Sequence, residues 1–95
     1  MRVRHTPRAR ADIEVIFAYL HPRNPKTARA LKHAIDRAVE LLKHFPHAGP
    51  TIDRAPEFRG LRVGRFPYRL YCRVRNNEVW VVHVRHMRQR PWEGE

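Results

Sequence analysis

The chain reads as an α+β domain: a two-helix N-terminal hairpin packed on one face of a small twisted antiparallel sheet, in the order β-α-α-β-β-β. Three observations lead there. Two helix-start signals, Thr6-Pro7 and Asn24-Pro25, each open an apolar stripe at helical spacing. From residue 58 onward the pattern changes to alternation with a period of two, the signature of half-buried strands. Ninety-five residues with 42% hydrophobic content suffice for one core and not for two, so residues 1–95 form a single domain.

The elements follow in order. "MRVRH" alternates apolar and basic residues and predicts a brief edge strand. Thr6 is placed to cap the first helix and Pro7 to occupy its first position, where a missing N–H costs nothing. Ala9, Ile13, Ile16 and Leu20 make its stripe, widened by Phe17, while Asp12 and Glu14 lie near the positive end of the helix dipole. "HPRNP" breaks the helix and Asn24-Pro25 starts the next, in which Ala28, Leu31, Ile35, Ala38, Val39 and Leu42 share a face up to "HFPHAGP". About four residues of connection imply an antiparallel hairpin over residues 7 to 45.

Pro50 to Pro56 reads as a surface loop. "FRGLRVG" then puts Leu61 and Val63 on one face and Arg62 on the other. "YRLYCRV" puts Tyr68, Leu70, Cys72 and Val74 on one face and Arg69, Tyr71 and Arg73 on the other. "RNN" is a tight turn, since Asn tolerates positive φ. "EVWVVHVRH" begins apolar on both faces, which predicts an interior strand with Trp80 in the core.

Charge narrows the function. The net charge is +11, and seventeen of the twenty basic residues are arginine, whose planar fork suits paired contacts to phosphate or carboxylate. Between Arg54 and Arg90, ten arginines face only Glu57 and Glu78, whereas the last five residues add Glu93 and Glu95. The bland alternative is that arginine merely solubilises a small domain. No apolar run approaches the ~18 residues of a membrane span, and "MRVRHTPRAR" lacks the apolar core of a signal peptide. One cysteine excludes an internal disulfide, so a cytoplasmic protein without membrane contact is expected.

Because the helix hairpin covers one face of the sheet, Arg62, Arg69, Tyr71 and Arg73 should look outward from the other. Arg88, Arg90 and Trp92 follow in the tail. The expected site is a shallow concave surface of guanidinium groups and an aromatic ring, suited to RNA, DNA or an acidic peptide. His86 shares a face with Arg88 if the strand continues, which sets both beside Arg69 at the rim. His83 and His86 are three apart on a strand and so face opposite ways, which disfavours a metal or proton-relay pair. No metal and no cofactor is expected. Cys72, between Leu70 and Val74, reads as a core thiol. Trp92 has three open roles: a lid, a partner contact, or neither.

Taken in order, "RARADIEVIFAYL", "LLKHFPHAG", "LRVGRFPYRLYCRV" and "VWVVHVRHMRQR" resemble the RelE/ParE superfamily of bacterial toxins from type II toxin–antitoxin operons over nearly the whole chain. The resemblance implies a growth-inhibiting, plasmid-stabilising toxin neutralised by a cognate acidic antitoxin, as a homodimer or a toxin–antitoxin heterotetramer. Two targets are implied: DNA gyrase, poisoned without catalysis, or mRNA on the ribosome, cleaved by a metal-independent endoribonuclease. For the nuclease, Arg62, Arg69 and Arg88 fall on family positions, with His86 as a helper. Gly60 stands where another basic residue is expected, and no tyrosine follows Tyr71. Those departures favour the gyrase branch, with a non-toxic basic binding module as the remaining alternative.

Overall fold

The structure is a computed structural model that describes residues 1–90 and 92–94. Its elements are β1 (Arg2–His5), α1 (Pro7–Arg23), α2 (Pro25–His44), β2 (Thr51–Ile52), β3 (Ala55–Arg62), β4 (Tyr68–Arg75) and β5 (Glu78–His86). Both caps form as the sequence predicts. Thr6 Oγ1 accepts from Ala9 N–H at 3.2 Å, and Asn24 Oδ1 accepts from Thr27 N–H at 3.1 Å. The connection is shorter than expected, because α1 runs through Pro22 and only Asn24 separates the helices. Pro22 lies in the last turn, where its missing N–H leaves only the carbonyl of exposed Ala18 to water.

The five strands lie in the order β1-β5-β4-β3-β2. β3, β4 and β5 form the expected antiparallel meander, and β5 is interior. Asn76 and Asn77 turn between β4 and β5 with φ of 53° and 59°, the pair of left-handed residues a two-residue hairpin needs. The sheet is mixed rather than wholly antiparallel: β1 runs parallel to β5, with Arg2 to His5 opposite Glu78 to Val81. The direction of a four-residue edge strand is set by which partner it reaches, which alternation cannot reveal. The Pro50 to Pro56 loop contains the two-residue β2 and the start of β3.

The helices bury Ala9, Leu31, Ile35, Ala38 and Leu42 against Val63, Leu70, Cys72, Val79, Val81 and Val84 of the inner sheet face. Leu31, Leu42 and Leu70 are fully buried, and each such side chain contributes roughly 1.5–3 kcal/mol. A second, smaller cluster of Ala55, Phe58, Tyr71 and Trp92 lies on the outer face. Trp80 is half-buried and lies outside both clusters, with the Arg4 guanidinium 5.2 Å from its ring centre. Among the described residues no helix is long and apolar enough to cross a membrane.

Candidate target-binding face

Strand register determines which basic side chains meet. Arg62 pairs with Arg69 across β3 and β4, and Arg69 pairs with Arg85 across β4 and β5. Three arginines therefore form a row across the outer face, at the ~4.8 Å spacing of neighbouring strands. The Arg62 guanidinium donates to Phe66 C=O at 3.2 Å and to Arg65 C=O at 3.1 Å, which fixes it over the β3–β4 turn. Among the described residues no carboxylate pairs with Arg62 or Arg69. Gly60 faces Tyr71, and an added Cβ would lie 3.4 Å from the Tyr71 ring and 3.5 Å from Arg69 Cδ. A long basic side chain there would have to pass over both.

Arg85 is the member that alternation misses. Counting from Val79 and Val81, both inner, a regular strand would put His86 outward and Arg85 inward. The β4–β5 pairing shifts by one between Tyr71 and Cys72, which face His83 and Val81 and leave Val82 as an extra residue. The bulge inverts every side chain beyond it. His86 accordingly sits opposite Tyr68 on the helix side, its ring 5.1 Å from the tyrosine's in an edge-on contact. His86 and Arg69 are thus on opposite faces, and the expected grouping of His86 with Arg69 is not formed.

β5 ends at His86. Arg88 N–H donates to His86 Nδ1 at 3.0 Å, and Gln89 N–H closes the turn on His86 C=O at 3.0 Å. Arg88 and Arg90 are exposed on this turn and the tail that follows. Arg73 is half-buried, its guanidinium 5.1 Å from the Phe58 ring centre. The expected exposure of Tyr71 is corrected: it is 4% exposed, because Trp92, itself 3% exposed, folds over it. The two rings are 5.1 Å apart, and Trp92 also meets Phe58 at 4.8 Å and His83 at 5.6 Å. Of the roles open to Trp92, covering the outer face is the one its position fits. A ring this apolar, three residues from the terminus of a basic tail, is the only sequence signal of that cover.

The histidine beneath this cover is tied to α1. His83 Nδ1 bonds Asp12 Oδ2, and His83 Nε2 lies 3.3 Å from Arg8 Nη2. Burial holds the ring below its ordinary pKa; the Asp12 bond and charge oppose that, and Arg8 and Arg85 reinforce it. A neutral ring donating to Asp12 and accepting from Arg8 satisfies all three groups. Asp12 Oδ2 also accepts Val84 N–H at 2.9 Å, beyond the point where β1 has ended. Burial pushes the Cys72 thiol up to about 12, so it is no nucleophile near neutral pH. Among the described residues no group of three His, Cys, Asp or Glu is arranged to hold a metal ion.

A basic row across the sheet, a helix hairpin behind it and an aromatic tail in front are features to compare with known proteins. Residues 3–91 match the family model described as ParE toxin of type II toxin-antitoxin system, parDE. The chain belongs to the ParE toxin family. Two solved structures share the ParE fold. One, from the chromosomal ParDE TA system of P. aeruginosa, has 22% identity and a TM-score of 0.76, covering 90% of this chain and 95% of that one. The other, a YoeB/ParE toxin from Agrobacterium tumefaciens, has 18% identity and a TM-score of 0.65, covering 90% and 98%. No curated protein sequence matches the chain. The RelE/ParE-like α+β architecture expected from sequence is therefore the one observed, and ParE membership extends over both helices and all five strands.

Proposed function

We propose that this ParE-family chain is the toxin of a two-gene module, that it arrests growth in the cytoplasm by poisoning DNA gyrase, and that a cognate acidic antitoxin neutralises it. The observation that carries the reading is the composition of the outer face. Arg62, Arg69 and Arg85 supply positive charge, and arginine stays protonated and is a poor proton carrier. Cleavage of RNA by its own 2′-hydroxyl needs a base and an acid beside that charge. The two histidines nearest in sequence are committed elsewhere: His86 lies on the opposite face, and His83 is buried between Asp12 and Arg8. Binding and inhibition need neither. The same charge suits an acidic, initially unfolded antitoxin segment that orders on contact.

Controlled induction followed by pulse-labelling separates the targets. Gyrase poisoning arrests DNA synthesis first and leaves bulk RNA uncut, and purified protein inhibits supercoiling of relaxed plasmid. Early arrest of protein synthesis with cleaved mRNA would reverse the assignment. Co-expression of the adjacent acidic reading frame restores growth and yields a complex that survives purification; failure to copurify would remove the antitoxin from the reading.

A further inference from the structure

The tail that follows Arg90 brings a carboxylate, that of Glu93, against the basic outer face, in a cavity that Arg54 and Arg69 line. Trp92 is seated among Phe58, Tyr71 and His83. Glu93 Oε1 is 3.8 Å from Arg54 Nε. Gly94 follows with φ of 88° and approaches so closely that a Cβ there would lie 2.8 Å from Ala55 Cβ. Trp92 and Glu93 share one cavity of about 360 Å³ with Arg54, Gly60, Arg69 and Tyr71. The tail therefore holds a carboxylate at one end of the arginine row, where an anionic ligand extending along that row would place its own charge.

We propose that Trp92–Gly94 is a built-in competitor that, in the free protein, occupies one end of a binding site for the phosphates of a DNA segment, formed by Arg54, Arg62, Arg69 and Arg85. The row crosses the middle strands and spans about 10 Å, a distance over which a duplex presents several phosphates, one per ~1.7 Å of its axis with both strands counted. The guanidinium groups stand on the face of the sheet rather than along an edge, so a peptide lying across them would find no main-chain partners there. A polymer carrying one charge per repeat needs none. Displacing the tail frees Arg54 to join the row, so binding and tail release are one event. The choice of DNA rests on the gyrase reading. The tests below contain no gyrase, so DNA binding and gyrase inhibition can fail separately.

The test uses a fluorescein-labelled 20-base-pair DNA duplex, with anisotropy read across a potassium chloride series on the full chain. Glu93→Gln removes the competing charge and leaves the aromatic cluster in place; it should tighten binding about two- to fivefold, the scale of an exposed ion pair. A chain ending at Arg90 should do the same and steepen the slope of log affinity against log salt by about 0.9, one further phosphate contact. Arg69→Ala should flatten that slope by a similar amount. In a Trp80→Phe background, Trp92 is the sole tryptophan, and its emission should shift to the red as DNA saturates. Circular dichroism confirms that each variant is folded, and Glu93→Gln decides the matter if the shortened chain is not. Unchanged or weaker binding by Glu93→Gln, or Trp92 emission that stays put at saturating duplex, overturns the proposal. So does wild type that ignores DNA, or that binds RNA or an acidic peptide more than tenfold more tightly than the duplex.

Discussion

Asp12 is one turn into α1, and its carboxylate acts on β5. Beyond Val81 the edge of β5 has no neighbouring strand, because β1 pairs only as far as His5. Thr6 covers the first part of that gap, its N–H donating to Val81 C=O at 2.9 Å and its hydroxyl to Val82 C=O at 3.1 Å. Asp12 covers the rest by accepting Val84 N–H and the His83 ring. Asp12→Ala leaves two donors without an acceptor, on residues that are 4% and 7% exposed. Each orphaned buried donor costs about 1–3 kcal/mol, so the loss should be about 2–6 kcal/mol. At ~4–8 °C per kcal/mol for a domain of this size, the melting temperature should fall by roughly 10–50 °C. Asp12→Asn keeps one acceptor oxygen and should recover about half of the loss. Thermal unfolding followed by circular dichroism at pH 7.5 gives the magnitude, and amide exchange gives the location, with Val84 losing protection in the alanine variant. A destabilisation below ~0.5 kcal/mol, the size of an ordinary surface change, would refute the edge-capping role.

Other perturbations test the two faces of the sheet and the histidines. Leu70→Ala, in the core, should cost about 2–5 kcal/mol, whereas Arg69→Ala on the outer face should leave the melting temperature nearly unchanged and reduce toxicity; equal destabilisation would mean the faces are misassigned. Arg85→Ala should detoxify at equal expression and His86→Ala should not; the reverse result would place the active surface on the other side of β5. Arg88→Ala tests the turn beyond the strand, and full toxicity in that variant makes it a solvated terminus. His5 and His83 are both held below 6.5 by burial, His5 also by Arg10. The unfolded chain therefore takes up protons near 6.5 that the folded chain refuses, so stability is full above that pH and declines as pH falls from 7.5 to 5.5. The double variant His5→Gln/His83→Gln should show a flatter decline in melting temperature over that interval, and an equally steep one would assign the effect elsewhere.

Much of the architecture is local chemistry and is legible for that reason. Thr6-Pro7 and Asn24-Pro25 cap their helices through contacts three residues long, and Asn76-Asn77 makes its turn with its own backbone preferences. The strand faces of β4 follow from alternation alone, so Leu70 and Arg69 were separable from the start. The binding face was only partly legible, because two of its determinants are not local. One is Val82: whether a strand carries an extra residue depends on how its partner pairs, and a bulge in β5 exchanges Arg85 for His86 on the outer face. The other is Trp92, whose burial depends on Phe58, Tyr71 and His83 converging from three strands to receive it.

Both non-local features act in the same direction. The bulge completes a row of three arginines and removes the one histidine that sequence spacing had set beside them. The tail covers Tyr71 and lays a carboxylate at the row's end. A proton-transfer site needs a titratable group held within hydrogen-bond reach of the reacting atoms. This fold instead holds His83 neutral beneath the tail, between Asp12 and Arg8, and turns His86 against Tyr68 on the helix side. What remains on the open face is fixed positive charge that does not titrate near neutral pH. A surface of that kind recognises an anion by position and number of charges, which is the property a gyrase poison and an acidic antitoxin's target have in common and a nuclease cannot rely on alone.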